Sequence, residues 1–200
     1  MLSLRGPSGF TLIEVLVAIT IAAFLLALGV PSMSVYLQRA RVGAVTQSLQ
    51  ASLQGARAEA IRRNQQVDFI TTNLSVASSA VANAPSPAAA GQSWLVRAPD
   101  PTAIGTFEML DARSAAEGNP GGGAPGVEVQ ASGAYAGTVS FDGFGRTVGS
   151  VAYQLNVVHV ASGCAASSPV ACQSVHVSPG GKVATCAPFA AAGDSRACAP

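Results

Sequence analysis

The stretch Gly9-Phe10-Thr11-Leu12-Ile13-Glu14 opens an apolar run that reaches Val30, and after Glu14 the next charged residue is Arg39. Roughly 20 such residues make about 30 Å of helix, long enough to cross a bilayer. Glu14 is the anomaly in that run. A carboxylate in hydrocarbon costs on the order of 3 kcal/mol and calls for a counter-charge. A secretory signal has a basic start, a shorter apolar core and a small-residue cleavage site after the core. Here the glycine precedes the core and the acid sits inside it, which leaves a plain single-span anchor as the simplest competing reading.

Beyond the run the chain is mild in character. Charged residues are 10% of the sequence and the hydrophobic fraction is 49%, much of it alanine and the apolar run itself. Two hundred residues allow one ordinary domain besides an anchor. The net charge of +1 falls to about zero without Arg5, so nothing global points to nucleic acid. All four cysteines, Cys164, Cys172, Cys186 and Cys198, fall near the carboxyl end. Four cysteines allow three pairings, and proximity favours Cys164 with Cys172 and Cys186 with Cys198. There is no CxxC and the two histidines do not follow at finger spacing, so disulfides of an exported domain are preferred to zinc. The basic residues flanking the run, Arg5 on one side and Arg39 and Arg41 on the other, are too evenly balanced to set orientation by charge.

Pro31 is expected to bend the helix or mark its exit from the membrane, since it lacks an amide hydrogen and clashes with the preceding turn. Apolar residues then recur at spacings of three, four or seven: Val35, Val42, Val45, Leu49, Leu53, Ala56 and Ala60, with Arg41, Gln47, Gln50, Gln54 and Arg57 on other faces. This predicts an amphipathic half of the same long helix, its stripe covered by a sheet. Segments 73–92 and 111–126, rich in Ala, Ser, Pro and Gly, read as flexible loops. Strands are predicted at Val67–Thr71, Ser93–Arg97, Ile104–Leu110, Val127–Gln130, Thr138–Phe141, Val151–Val160 and Ser174–Ser178. Asp142-Gly143 followed by Gly145 predicts a turn after Phe141. Trp94 and Phe141 are expected in the core. His159 and His176 each sit between valines, and alternation puts them on the solvent face rather than in a ligand set.

The Gly9 to Glu14 stretch resembles the processing and assembly signature of type IV pilins and type II secretion pseudopilins. The resemblance implies cleavage after Gly9 by a prepilin peptidase, methylation of the new amino terminus at Phe10, and pairing of Glu14 with the terminal amine of a neighbouring subunit. The helix end Ala56-Arg57-Ala58-Glu59-Ala60-Ile61, followed by a strand, is similar to the GspH/FimT branch, as is the turn Phe141-Asp142-Gly143-Phe144-Gly145-Arg146. The implied fold class is α+β, type IV pilin-like, with a long amino-terminal helix on an antiparallel β-sheet. Its parts are a leader (1–9), a membrane and assembly half-helix (10–31), an amphipathic half-helix (32–66) and a periplasmic β domain (67–200).

The implied function is structural: a minor pilin in assembly, initiation or the tip of a type IV pilus, single-pass in the bacterial inner membrane until incorporated. A type II secretion pseudopilin is the alternative. Partners are other pilins or pseudopilins, the prepilin peptidase and the membrane assembly platform. No GxSxG, HExxH or phosphate loop is present, and no nucleophile is set beside a base, so no catalytic residue, metal or cofactor is expected. Some members of the FimT branch bind DNA through a Gly-Arg-x-Arg motif in the final hairpin. At the matching place, Gly181-Lys182-Val183-Ala184, one cation is kept and one is lost. Lys182 and Arg146, with Arg196 if folding brings it close, are the candidate DNA contacts, and few cations means few released counterions.

Overall fold

The computed structural model describes residues 9–76, 78–114, 126–191 and 193–198, with the side chains of 26–32 outside the description. The leader reading of 1–9 therefore lies outside the described residues except at Gly9. One helix, α1, spans Leu12–Arg63. The chain divides into two compact units, Met1–Leu37 and Gln38–Pro200.

In the first unit α1 starts on a cap. The Glu14 amide donates to Thr11 Oγ1 at 3.4 Å and to the Thr11 carbonyl at 3.1 Å. Thr11-x-x-Glu14 is thus the sequence of a capping box, and an acid in the first turn suits the positive end of the helix dipole. The apolar side chains that follow stay in the open, Leu12 at 83% exposure and Phe24 at 68%. Among the described residues no helix is long and apolar enough to cross a membrane. The expected span of 10–31 includes the undescribed side chains from 26 on. At Pro31, where a bend or the exit from the membrane is expected, α1 continues without interruption. A proline removes one backbone bond and crowds one carbonyl, and here the ladder on either side carries the helix on.

In the second unit the predicted stripe is buried. Val42, Leu49, Leu53, Ala56 and Ala60 are within 1% of full burial, and Thr46 joins them by donating its hydroxyl to the Val42 carbonyl at 2.7 Å. The helix closes on Asn64, held at φ 50°, with the Gln65 amide on the Ala60 carbonyl and the Asn64 amide on that of Ile61. That pair of bonds is a Schellman end, made here by asparagine in place of glycine.

Among the described residues nine strands follow: β1 Val67–Thr72, β2 Ala90–Gly91, β3 Ser93–Pro99, β4 Phe107–Ser114, β5 Val127–Ser132, β6 Thr138–Phe141, β7 Tyr153–His159, β8 Gln173–Val177 and β9 Val183–Cys186. They form two antiparallel sheets, ordered β4-β3-β1-β6 and β2-β5-β7-β8-β9, where sequence reading anticipated one. Trp94 and Phe141 are core residues, 1% and 0% exposed. β1 lies between β3 and β6 and is buried along its whole length, so it shows no alternation. Its one charge, Asp68, is satisfied by Arg97 Nε at 3.2 Å, Ser140 Oγ at 2.7 Å and Gln66 Nε2 at 2.8 Å.

The bounds read from sequence differ from the structure in three places. Segment 73–92, read as a loop, is not featureless among its described residues. It contains a 3-10 turn at Ser79–Ala82 and strand β2, and its carbonyls at Ala82, Ala88 and Ala90 accept from Arg97, Thr71 and Asn73. Composition misled because the ordering side chains of Arg97 and Thr71 belong to the strands. β4 begins at Phe107, while Ile104 is fully exposed in the preceding turn. Its far end runs to Ser114, into the segment read as a loop, of which 115–125 lie outside the described residues.

Candidate functional site

The signature residues lie at the start of α1. Phe10 is 83% exposed, and Phe10, Glu14, Val15, Ala18 and Ala22 share one side of the helix. Helical periodicity puts residues four apart above one another, so the acid stands at the head of an open apolar stripe.

At the other end of α1, Glu59 accepts from Arg62 Nη2 at 2.6 Å and from Arg63 Nε at 2.9 Å. Arg63 also reaches Glu108 on β4, tying the helix end to the sheet. Hydrogen bonds from Arg62 and then Arg63 hold the Glu59 carboxyl down at about 2, against an ordinary 4.5. Arg62 stays 64% exposed. Exposed pairs of this kind add little to stability, so their effect is to order the helix end.

Arg57, placed by the sequence pattern off the apolar stripe, joins two loops. Its Nε donates to the Gly145 carbonyl at 2.9 Å and its Nη2 lies 3.5 Å from that of Gly180. The Thr147 amide donates to the Pro179 carbonyl at 3.1 Å. The turn after β6 and the hairpin between β8 and β9 therefore form one clamped corner. Gly181 sits there at φ 77°, where a Cβ would fall 1.8 Å from the Gly145 carbonyl oxygen. Sequence reading missed Arg57 because its partners are main-chain carbonyls, which leave no pattern of their own. The two glycine turns were the available signal.

This corner carries both candidate DNA contacts. Arg146 is occupied: Nη2 lies 3.0 Å from Asp142 Oδ2 and its guanidinium carbon 5.2 Å from the centre of the Phe144 ring. The Arg146 amide, donating to Asp142, is the first cause that lowers that carboxyl from its usual range. Lys182 is exposed, its amide donating to Ser178 Oγ at 3.1 Å. Arg196 pairs with Asp194 at 2.8 Å, and its side chain holds the Asp194 carboxyl at about 2.

The cysteines pair Cys164 with Cys172 and Cys186 with Cys198. The first loop is held to α1 by Arg39, whose Nε and Nη2 donate to the Pro169 carbonyl at 3.1 and 2.8 Å. The second sets the tail beside β9, with the Ala187 amide on the Arg196 carbonyl at 2.7 Å.

The solvent-facing assignment is corrected at His159, which is buried, 9% exposed. His176 is half-buried between the buried Val175 and Val177, on the face opposite theirs as alternation expects. Alternation fails at the end of β7 because Val157, Val158 and His159 are all covered in succession. A Cβ on Gly126 would come within 3.2 Å of the His159 ring, so that glycine lets the backbone of the β5 edge close over it. Among the described residues no group of three His, Cys, Asp or Glu is placed to hold a metal ion.

Residues 4–30 match the prokaryotic N-terminal methylation motif, and residues 45–181 match the family Type II transport protein GspH. The chain belongs to the GspH family. The GspH match takes in the lower part of α1, strands β1 to β8, the turn at Arg146 and the first disulfide. It stops at Gly181, short of Lys182, β9 and the second disulfide. Among solved structures, the chain is similar to the type IV minor pilin FimU of Pseudomonas aeruginosa, with 13% identity and a TM-score of 0.47 over 74% of this chain and 90% of that one. It is also similar to the minor pseudopilin EpsH of the type 2 secretion system of Vibrio cholerae, with 11% identity and a TM-score of 0.48 over 75% of this chain and 99% of that one. No curated protein matches it in sequence. As a member of the GspH family it is a pilin-like subunit of α+β architecture.

Proposed function

We propose that this GspH-family chain is a structural subunit of a type IV filament, a minor pilin acting at initiation or near the tip, with no catalytic role. The observation that carries this reading is the succession in one polypeptide of a methylation motif over 4–30 and a GspH region over 45–181. In this reading a prepilin peptidase cuts after Gly9 and the amine of Phe10 is methylated. The apolar half of α1 holds the subunit in the inner membrane, with the disulfide-bonded domain outside the cytoplasm. On assembly Glu14 meets the terminal amine of a neighbour, which offsets the cost of carrying a carboxylate in lipid.

The test is mass spectrometry of the chain isolated from its cell. A mature form beginning at N-methylated Phe10 is expected, and a chain that retains Met1 removes the proposal. A type II secretion pseudopilin is the second reading, favoured by the description of the matching family itself. Recovery from sheared surface pili, against dependence of protein secretion on the gene, separates the two. DNA uptake has the weaker support, since Arg146 and Arg196 are already paired with Asp142 and Asp194.

A further inference from the structure

We propose that the polar face of the second sheet carries a binding site for a single uncharged sugar ring, in a pocket where β5 ends and β7 begins. The register sets three polar side chains side by side: Ser132 on β5 pairs with Gln154 on β7, and Gln154 pairs with His176 on β8. Direct partners in an antiparallel sheet share a face, and neighbouring strands lie about 4.8 Å apart, so the three form one row across the sheet. The adjacent row, with Leu155 and Val175, points the other way and is fully buried. The polar row lines a pocket of about 220 Å³, shared with Tyr153, Gly133 and Ala152. That is below the roughly 300–1,000 Å³ of sites that enclose a drug-sized ligand, and it suits one small ring.

Three observations point to the class of ligand. The first is unused hydrogen-bonding capacity. The Ser132 hydroxyl, the Tyr153 hydroxyl and the His176 ring have no hydrogen-bond partner among the described residues, although all three residues are half-buried. Gln154 is oriented by one bond, its Nε2 donating to Asn156 Oδ1 at 3.2 Å, and Asn156 is fixed in turn by Ser174 Oγ at 2.6 Å. That leaves the Gln154 carbonyl oxygen facing no donor among the described residues. A hydroxyl, an amide and an imidazole can each both donate and accept, as a sugar hydroxyl does. The second observation is the lack of charge. Among the described residues no Asp, Glu, Lys or Arg lines the pocket, and Glu128, on the same face further along β5, is engaged by Gln130. A phosphate, carboxylate or ammonium group would go unpaired there. The third is a fixed aromatic ring. Tyr153 stands edge-on to Tyr135 with ring centres 6.3 Å apart, and Tyr135 is anchored by its hydroxyl on Thr71 Oγ1 at 2.6 Å. A held ring offers an apolar surface to the C–H face of a sugar while the row of polar groups meets its hydroxyl edge. At Gly133 a Cβ would meet nothing within 4 Å, so the mouth is open.

The site does not depend on the filament reading, and it is tested on the full-length chain in a detergent without a sugar headgroup. Saturation-transfer NMR is run with glucose, galactose, mannose and N-acetylglucosamine, and with sialic acid as the charged comparator. Transfer to at least one neutral sugar is expected, falling at least 5-fold in Gln154→Ala and in His176→Ala and unchanged in Gln130→Ala, on the same face outside the pocket. Transfer to no neutral sugar, stronger transfer to sialic acid, transfer undiminished in either pocket variant, or an equal loss in Gln130→Ala overturns the proposal. Normal Trp94 fluorescence checks that the variants fold. Where they do not, modification of His176 by diethyl pyrocarbonate in the wild-type chain decides: at least 3-fold slower reaction with the neutral sugar present is expected, and equal rates overturn the proposal.

Discussion

The two halves of α1 differ in hydrophobic content and have opposite fates: the first carries Glu14 as its one charge up to Val30, the second carries arginines and glutamines along its length. From Leu12 to Leu25 the large side chains lie open, whereas from Val42 to Ala60 every third or fourth residue is sealed against protein. The difference is in both the amount and the arrangement of the apolar residues. The first half is apolar all round with one acid, a pattern suited to lipid or to a bundle of like helices; the second sorts its residues into a stripe and a polar face, a pattern suited to one sheet. One helix therefore serves two surroundings, and a substitution should act on assembly in the first half and on folding in the second.

The largest effect expected from that division is at Glu14. Glu14→Ala should lower recovery in sheared filaments by more than 10-fold with the membrane level of the protein unchanged, read by immunoblot of the two fractions. Normal incorporation would remove the assembly role of the acid. Next come paired truncations. Leu49→Ala, at a fully buried site, should cost about 2–5 kcal/mol in denaturant unfolding followed by Trp94 fluorescence. Leu16→Ala, 56% exposed, should stay within about 0.5 kcal/mol in the same measurement. Equal losses at the two sites would erase the distinction between the halves.

A smaller effect belongs to the clamped corner. Gly181→Ala must place a methyl group against the Gly145 carbonyl at a positive φ, and should cost about 1–3 kcal/mol. A neutral result would mean the corner is loose enough to open. The smallest is a pH effect at the helix end. The folded carboxyl of Glu59 lies near 2, below its ordinary 4.5. Its contribution is therefore full above about 4.5 and is lost as pH falls toward 2. Glu59→Gln should flatten the stability profile across that interval, and an unchanged profile would show that the exposed pairs contribute nothing measurable.

Much of the fold was legible because its causes are local. The stripe from Val42 to Ala60, the helix end at Asn64 and the strand Thr138–Phe141 each follow from periodicity or turn chemistry within a few residues. β9 was not legible, since Val183-Ala184-Thr185-Cys186 is a strand through its pairing with β8. The order in 73–92 and the burial of His159 were hidden for the same reason: what holds them lies far away in sequence. At the candidate site, Glu14 stood out as a lone acid among apolar residues, while its place in a capping box was equally readable from Thr11 and went unread.

Taken alone, the amino-acid order determined a long helix with two kinds of surface, a carboxyl-terminal region of strands, and a methylation motif over residues 4–30. The tertiary structure alone decided that the strands divide into two sheets, that Arg57 fastens two loops into one corner, and that Arg146 is already occupied by Asp142. The physical reason is range. Periodicity and capping act over one or two turns of chain, whereas a main-chain carbonyl or a strand edge gains its partner only when distant segments are brought together.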